Sequence, residues 1–247
     1  MQKKKEEREE KKEERGVLHL LTELGLYDPT SSGVYIVYGP AAVGKTTLMA
    51  RAAEEAAKDE VPAFYLMVEP NLKLYRQADK IKQMLPARVR CGGREVETAV
   101  YYDAPLPLFH KLIEITSTCE RAFVVVDSIT ALAQHEQARY LAAVGRLDVL
   151  PIVRSMSSFA NAMTQLLANN IADRYISIYY IAQERPAIGQ TYYGEPSAPS
   201  FAMRAQHNVA AVARLFVAEK KRHIKVVWHR ISKYAGVTRE VQIEPLL

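Results

Sequence analysis

After Gly33 the apolar residues recur in two rhythms, and the alternation between them predicts the fold. Short runs such as Val34–Tyr38, Ala63–Val68 and Ile176–Ala182 are rich in β-branched and aromatic side chains and read as strands. Ala122–Val126 is apolar at every position, as in a central strand covered on both faces. Between them lie segments with helical spacing: the Ala-rich LMARAAEEAAK, then NLKLYRQADKIKQML, then Leu108–Thr116. Glu97–Tyr102 reads as a third strand, and Leu141–Ala168 as a long helical stretch that Pro151 must kink or divide. Val212–Val217 and Ile224–His229 are later strands suited to an antiparallel pair. The order β-α-β-α-β-α-β predicts an α/β fold, a mainly parallel central sheet with helices on both faces.

Residues 1–15 contain no apolar stripe with which to pack on a core, so they are expected as a frayed, exposed helix or a disordered arm. VLHLLTELGLYD then has Leu and Val at helical spacing, and DPTSSG supplies the turn that ends it. The expected organisation is a charged arm and short helical leader over 1–32, followed by one domain over 33–247.

Composition adds limits. In 247 residues, 49% hydrophobic and 25% charged, there is enough apolar material for a full core, which excludes disorder as the main state. No apolar run approaches the ~18 residues that cross a bilayer, and the mixed Lys, Arg and Glu of the N-terminus resemble no targeting peptide. Two cysteines, Cys91 and Cys119, without CxxC spacing argue against a disulfide scaffold and a structural zinc site, and point to the cytoplasm. The net charge is +5, yet residues 220–239 carry seven basic side chains and no acidic one, so the rest of the chain is slightly acidic. Such a stripe serves either to bind nucleic acid or neighbouring phosphates, or to keep a solvated strand edge from aggregating.

The chemistry concentrates in Gly39-Pro40-Ala41-Ala42-Val43-Gly44-Lys45-Thr46-Thr47, which fits GxxxxGK[ST] between a strand and a helix. Glycines let such a loop curl until its backbone N–H groups face phosphates at a helix N-terminus. Lys45 is then the candidate for the β/γ-phosphates and the Thr46 hydroxyl for Mg²⁺. A metal held by one hydroxyl needs a second anchor, and Asp127, at the end of the most apolar strand, is the candidate carboxylate.

Val124–Leu132 (VVVDSITAL) after such a loop resembles the RecA/RadA recombinase superfamily, including the archaeal RadA paralogues of RadB type and the KaiC-like ATPases. The resemblance runs from about Gly33 to Ile243. It implies a RecA-like ATPase core in which Glu69 activates the attacking water and Gln183, ending a later strand, senses the γ-phosphate. It further implies that Arg230, in the terminal strands, reaches a neighbouring subunit's ATP. Met67-Val68 stands where an acidic residue often precedes the glutamate, Ala182-Gln183 replaces the usual Asn-Gln, and a Phe-x-x-Ala pattern occurs only at Phe159–Ala162 inside a predicted helix.

With three prolines and two glycines, 184–206 reads as a long functional or disordered loop. In it Tyr192 and Tyr193 are candidates to stack on bases, and Arg185 and Arg204 to meet phosphates. The resemblance therefore implies an ATP- and Mg²⁺-dependent recombinase paralogue acting on DNA, single-stranded by preference, as a homo-oligomer or beside a recombinase partner and away from membranes. An ATP-driven switch with little hydrolysis, a viral or plasmid motor of the same superfamily, and a P-loop kinase are the competing readings; against the last, no Arg-rich lid insertion is visible.

Overall fold

The computed structural model describes residues 16–68, 76–144, 149–187, 192–200, 208–244 and 246. The strands are β1 (Gly33–Gly39), β2 (Ala63–Met67), β3 (Arg88–Cys91), β4 (Arg94–Glu97), β5 (Ala99–Tyr101) and β6 (Arg121–Asp127). They continue as β7 (Tyr175–Pro186), β8 (Ser197–Pro199), β9 (Ala211–Ala218), β10 (Lys221–His229) and β11 (Thr238–Val241). Among the described residues nine of these form one sheet in the order β11-β10-β9-β1-β7-β6-β2-β5, with β8 beside β7, while β3 and β4 make a separate hairpin. From β9 to β5 all neighbours are parallel; β10 and β11 are antiparallel additions at one edge.

The helices are α1 (Val17–Glu23), α2 (Lys45–Lys58), α3 (Gln77–Met84), α4 (Pro105–Thr118), α5 (Ile129–Val144) and α6 (Val149–Asn170). Successive strand residues face opposite sides, and both sides are covered. Val34, Ile36, Val124 and Ile178 pack beneath α4, α5 and α6, whereas Tyr35, Val37, Val125 and Tyr179 pack beneath α1, α2 and α3. This is the predicted α/β architecture with helices on both faces.

Several boundaries differ from expectation. The single strand expected at Glu97–Tyr102 is divided between β4 and β5, because Arg88–Glu97 folds as a hairpin around Gly92 and Gly93, both at positive φ. The helical stretch around Pro151 is two helices. The first begins at Ile129, and Pro151 lies in the first turn of the second, where its missing N–H costs nothing. Phe159–Ala162 falls within α6. The leader packs into the main core through Leu18, Leu21, Leu24 and Leu26. Its helix lacks a side-chain cap of its own, and the Glu55 carboxylate of α2 accepts the free N–H groups of Val17 and Leu18 at 2.9 and 2.7 Å. Residues 1–15 lie outside the described residues.

The cysteines give a correction. Cys91, ending β3, and Cys119, the residue that caps α4, form a disulfide between buried positions with Cα atoms 4.7 Å apart. Spacing along the chain carried no sign of this, since the fold alone brings the hairpin onto the end of α4. The joint is tight: a Cβ on Gly92 would meet the Thr118 carbonyl oxygen at 2.7 Å. Arg174 completes it by donating to the carbonyls of Cys119 and Ser117, at 2.8 and 3.1 Å. Among the described residues no helix is long and apolar enough to cross a membrane.

Candidate functional site

The GxxxxGK[ST] segment leaves the end of β1 and enters α2 through Gly44, whose φ of +105° suits glycine. Gly39 is required for a different reason, since a Cβ there would run into the Leu215 carbonyl oxygen of β9. The Lys45 ammonium turns back across the loop and donates to the carbonyl oxygens of Gly39 and Pro40 at 2.9 and 2.6 Å. Lys45 is only 8% exposed, so it braces the loop as well as charging it.

Parallel registers align the other candidates at the same end of the sheet. Gly39 of β1 stands beside Gln183 of β7, and Asp127 of β6 lies between Ile181 of β7 and Met67 of β2. This is the carboxyl end of the strands, where open α/β sheets place their ligands. Asp127 is 2% exposed, and its Oδ2 accepts a hydrogen bond from Thr46 Oγ1 at 2.7 Å across a sequence separation of 81 residues. The same oxygen accepts a second bond, from the Tyr65 hydroxyl of β2, also at 2.7 Å. Burial, and then the negative charge of Asp127, push the Tyr65 hydroxyl well above its ordinary pKa, so it stays a donor.

These donors suit a hard cation. Mg²⁺ takes oxygen ligands, keeps several waters and is usually bound by one or two carboxylates together with substrate phosphates. The touching Thr46 hydroxyl and Asp127 carboxylate are such a pair. Among the described residues no group of three or more His, Cys, Asp or Glu side chains is placed to hold a metal by itself.

Around this centre, the Gln183 N–H donates to Thr130 Oγ1 at 3.0 Å, tying β7 to the first turn of α5. Arg222 of β10 donates from Nε to the Val43 carbonyl oxygen at 3.0 Å and so holds the outside of the loop. In the sequence Arg222 is one charge of the basic stripe and Tyr65 one residue of the Ala63–Val68 strand. Strand registers, which place both, have no trace in residue spacing. Arg230 follows β10 at the opposite end of the sheet, where its N–H meets the Ala210 carbonyl, and it is exposed. Its own chain's loop is out of its reach. Glu69 and Arg204 lie outside the described residues.

The expected 184–206 loop is partly folded. β7 continues past Gln183 to Pro186 and pairs with β8, so Arg185 is an exposed strand residue opposite Ala198. Tyr192 and Glu195 exchange two backbone hydrogen bonds of 2.9 Å around Tyr193 and Gly194, both at positive φ, which is a type I′ turn. The Glu195 carboxylate anchors it, accepting from Arg214 at 2.9 Å and Lys225 at 2.6 Å, while Glu184 also meets Arg214 at 3.1 Å. Burial acts to raise the Glu195 pKa, but Lys225 and Arg214 hold its carboxyl below the ordinary value. The proposed stacking pair is thereby divided. Tyr192 is 6% exposed beneath Tyr38, whereas Tyr193 is 46% exposed with its ring stacked against Trp228. The basic stripe is also less bare than its sequence: besides Lys225, Lys221 pairs with Glu240 at 2.9 Å.

No protein-family model matches the chain, and no curated protein matches it. Among solved structures it is similar to a KaiC-like protein from the hyperthermophilic archaeon Pyrococcus horikoshii OT3, at TM-score 0.54 and 16% identity over 87% of each chain. It is similar to the RadB recombinase at TM-score 0.51 and 17% identity, over 84% of this chain and 86% of that one. At such identities the likeness is one of fold, and with the sheet order above it makes this chain's architecture that of a RecA-like P-loop ATPase core.

Proposed function

We propose that the chain is a Mg²⁺-dependent ATPase of the recombinase-paralogue type, stimulated by DNA and acting in the cytoplasm in repair or recombination. The observation that carries the reading is the 2.7 Å contact between the Thr46 hydroxyl and the Asp127 carboxylate at the mouth of the glycine loop. Gly39 to Thr47 enclose the phosphates, Lys45 leaves its loop carbonyls to neutralise phosphate charge, and Thr46 with Asp127 holds Mg²⁺. Bound there, the metal supplies charge stabilisation at the phosphates. Glu69 orients and deprotonates water, and Gln183 links the site to the β7–β8 segment. Arg230 serves a neighbouring subunit's site in a homo-oligomer or beside a recombinase partner.

ATP turnover with and without single-stranded and double-stranded DNA tests this directly. Single-stranded DNA is expected to raise turnover, and Glu69→Gln to keep ATP binding while losing most of it, because the amide retains the shape without the base. DNA-independent turnover, or full activity of Glu69→Gln, overturns the assignment. A second reading, an ATP-dependent switch with little hydrolysis, is favoured by the buried apolar pair Met67 and Val68 ahead of Glu69, which leaves that carboxylate without an acidic neighbour there. ATP binding without turnover would select it.

In the same reading Tyr193 is the stacking residue, with Arg185 and Arg204 on phosphates. Tyr193→Ala is expected to weaken single-strand binding by about 1–3 kcal/mol with little change in salt slope. Tyr192→Ala is expected to act on thermal stability instead, since its ring is buried. Filter binding across a salt series, paired with melting curves, separates the two effects; equal DNA affinity for Tyr193→Ala removes Tyr193 from the interface.

A further inference from the structure

Tyr65 carries a feature that neither core packing nor the glycine loop explains. It lies within β2, in a strand whose five residues are all buried, yet its hydroxyl is spent on the Asp127 carboxylate. The bond to Asp127 Oδ2 is as short as that from Thr46, and the hydroxyl also lies 3.3 Å from the Thr46 carbonyl oxygen. We propose that Tyr65 is a positioning residue for Asp127, the candidate metal-binding carboxylate, fixing its orientation through the bond to Oδ2. The inference rests on the nucleotide-site reading above.

Thr46 has two tasks at the site. Its hydroxyl is shared: it now donates to Asp127, and the same oxygen is the candidate metal ligand. A hydroxyl ligates a metal through a lone pair and keeps its hydrogen, so Thr46 serves both partners with one group that must suit two geometries. The Tyr65 hydroxyl, held in β2, donates to the same Asp127 oxygen and is not a candidate ligand. Buried carboxylate oxygens need donors, and each fixed donor narrows the orientations open to the group. Tyr65 is such a donor, because its ring is fixed among the residues under α2 and its side chain is fully buried. Groups that orient metal ligands in this way influence metal affinity by about ten- to a hundredfold.

The test uses the full chain and a fluorescent ATP analogue, titrated with MgCl₂ and again in EDTA. Tyr65→Phe removes one oxygen and keeps the ring. Its Mg²⁺ midpoint for nucleotide binding is expected to rise at least about tenfold, with affinity in EDTA unchanged. In an Asp127→Asn background the same substitution is expected to add nothing, because the effect passes through that carboxylate. Para-aminophenylalanine at position 65 retains a donor at nearly the same place and is expected to restore the wild-type midpoint; it also keeps the question answerable should Tyr65→Phe not fold.

A merely structural role would alter melting temperature and EDTA affinity together, without a selective change in the Mg²⁺ midpoint, and would overturn the proposal. So would a wild-type midpoint in Tyr65→Phe, or a displaced midpoint with para-aminophenylalanine. Failure of the underlying site looks different: Lys45→Ala and Asp127→Asn would then leave Mg²⁺-dependent binding intact, and the positioning role would fall with it.

Discussion

Lys45→Ala is expected to reduce Mg²⁺-ATP affinity by on the order of a hundredfold or more, the cost of removing one member of a close charge pair. The same substitution should lower stability only slightly. Lys45 donates to the Gly39 and Pro40 carbonyls, but both belong to a loop that water reaches once the ammonium is gone, so the loss is at most about 2 kcal/mol. Affinity and stability therefore separate, and calorimetric titration alongside a melting curve reads both. Unchanged ATP affinity would reduce the glycine loop to a structural turn beneath α2. A large fall in melting temperature with unchanged affinity would assign Lys45 to the fold.

The second large effect concerns the crosslink. Breaking Cys91–Cys119 by reduction, or by Cys91→Ser with Cys119→Ser, is expected to cost on the order of 3 kcal/mol, the value for closing a loop of this length. The bond joins residues 28 apart and encloses β4, β5 and α4. For a chain of this size that corresponds to a fall of about 6–12 °C in melting temperature. The hairpin keeps other ties to the core, through Val96 and the Arg174 bonds at the end of α4, so the domain should remain folded. Identical melting curves with and without dithiothreitol would show that the bond contributes nothing.

What was legible beforehand follows from what each residue needs to reveal its role. The glycine loop and Asp127 announce themselves because their chemistry requires fixed residue types at fixed distances from a strand end. The buried strands were equally plain, since a doubly covered strand admits few polar residues. Tyr65 was not, because a tyrosine in AFYLM looks like any other core aromatic until the register of β2 on β6 sets its hydroxyl against Asp127. The β3–β4 hairpin does leave a signal in the sequence, two adjacent glycines between short alternating runs, which the single strand expected at Glu97–Tyr102 does not account for. The 184–206 segment misled by composition. Its prolines and glycines suggest a free loop, while Glu184 and Glu195 find their cations on β9 and β10, far along the chain.

That last arrangement bears on what a ligand would encounter. Tyr193 occupies a left-handed backbone position, φ +49°, inside a turn that two ion pairs of Glu195 fasten to the sheet. Restricting one residue's backbone costs about 1–2 kcal/mol, and here the restriction is complete before anything binds. Its ring is also set against Trp228. A flat partner laid on Tyr193 meets a surface whose orientation was decided during folding, so the protein side surrenders little further freedom on contact. Loosening the turn at Glu195 would transfer that ordering cost to every binding event, weakening attachment without touching the aromatic face itself.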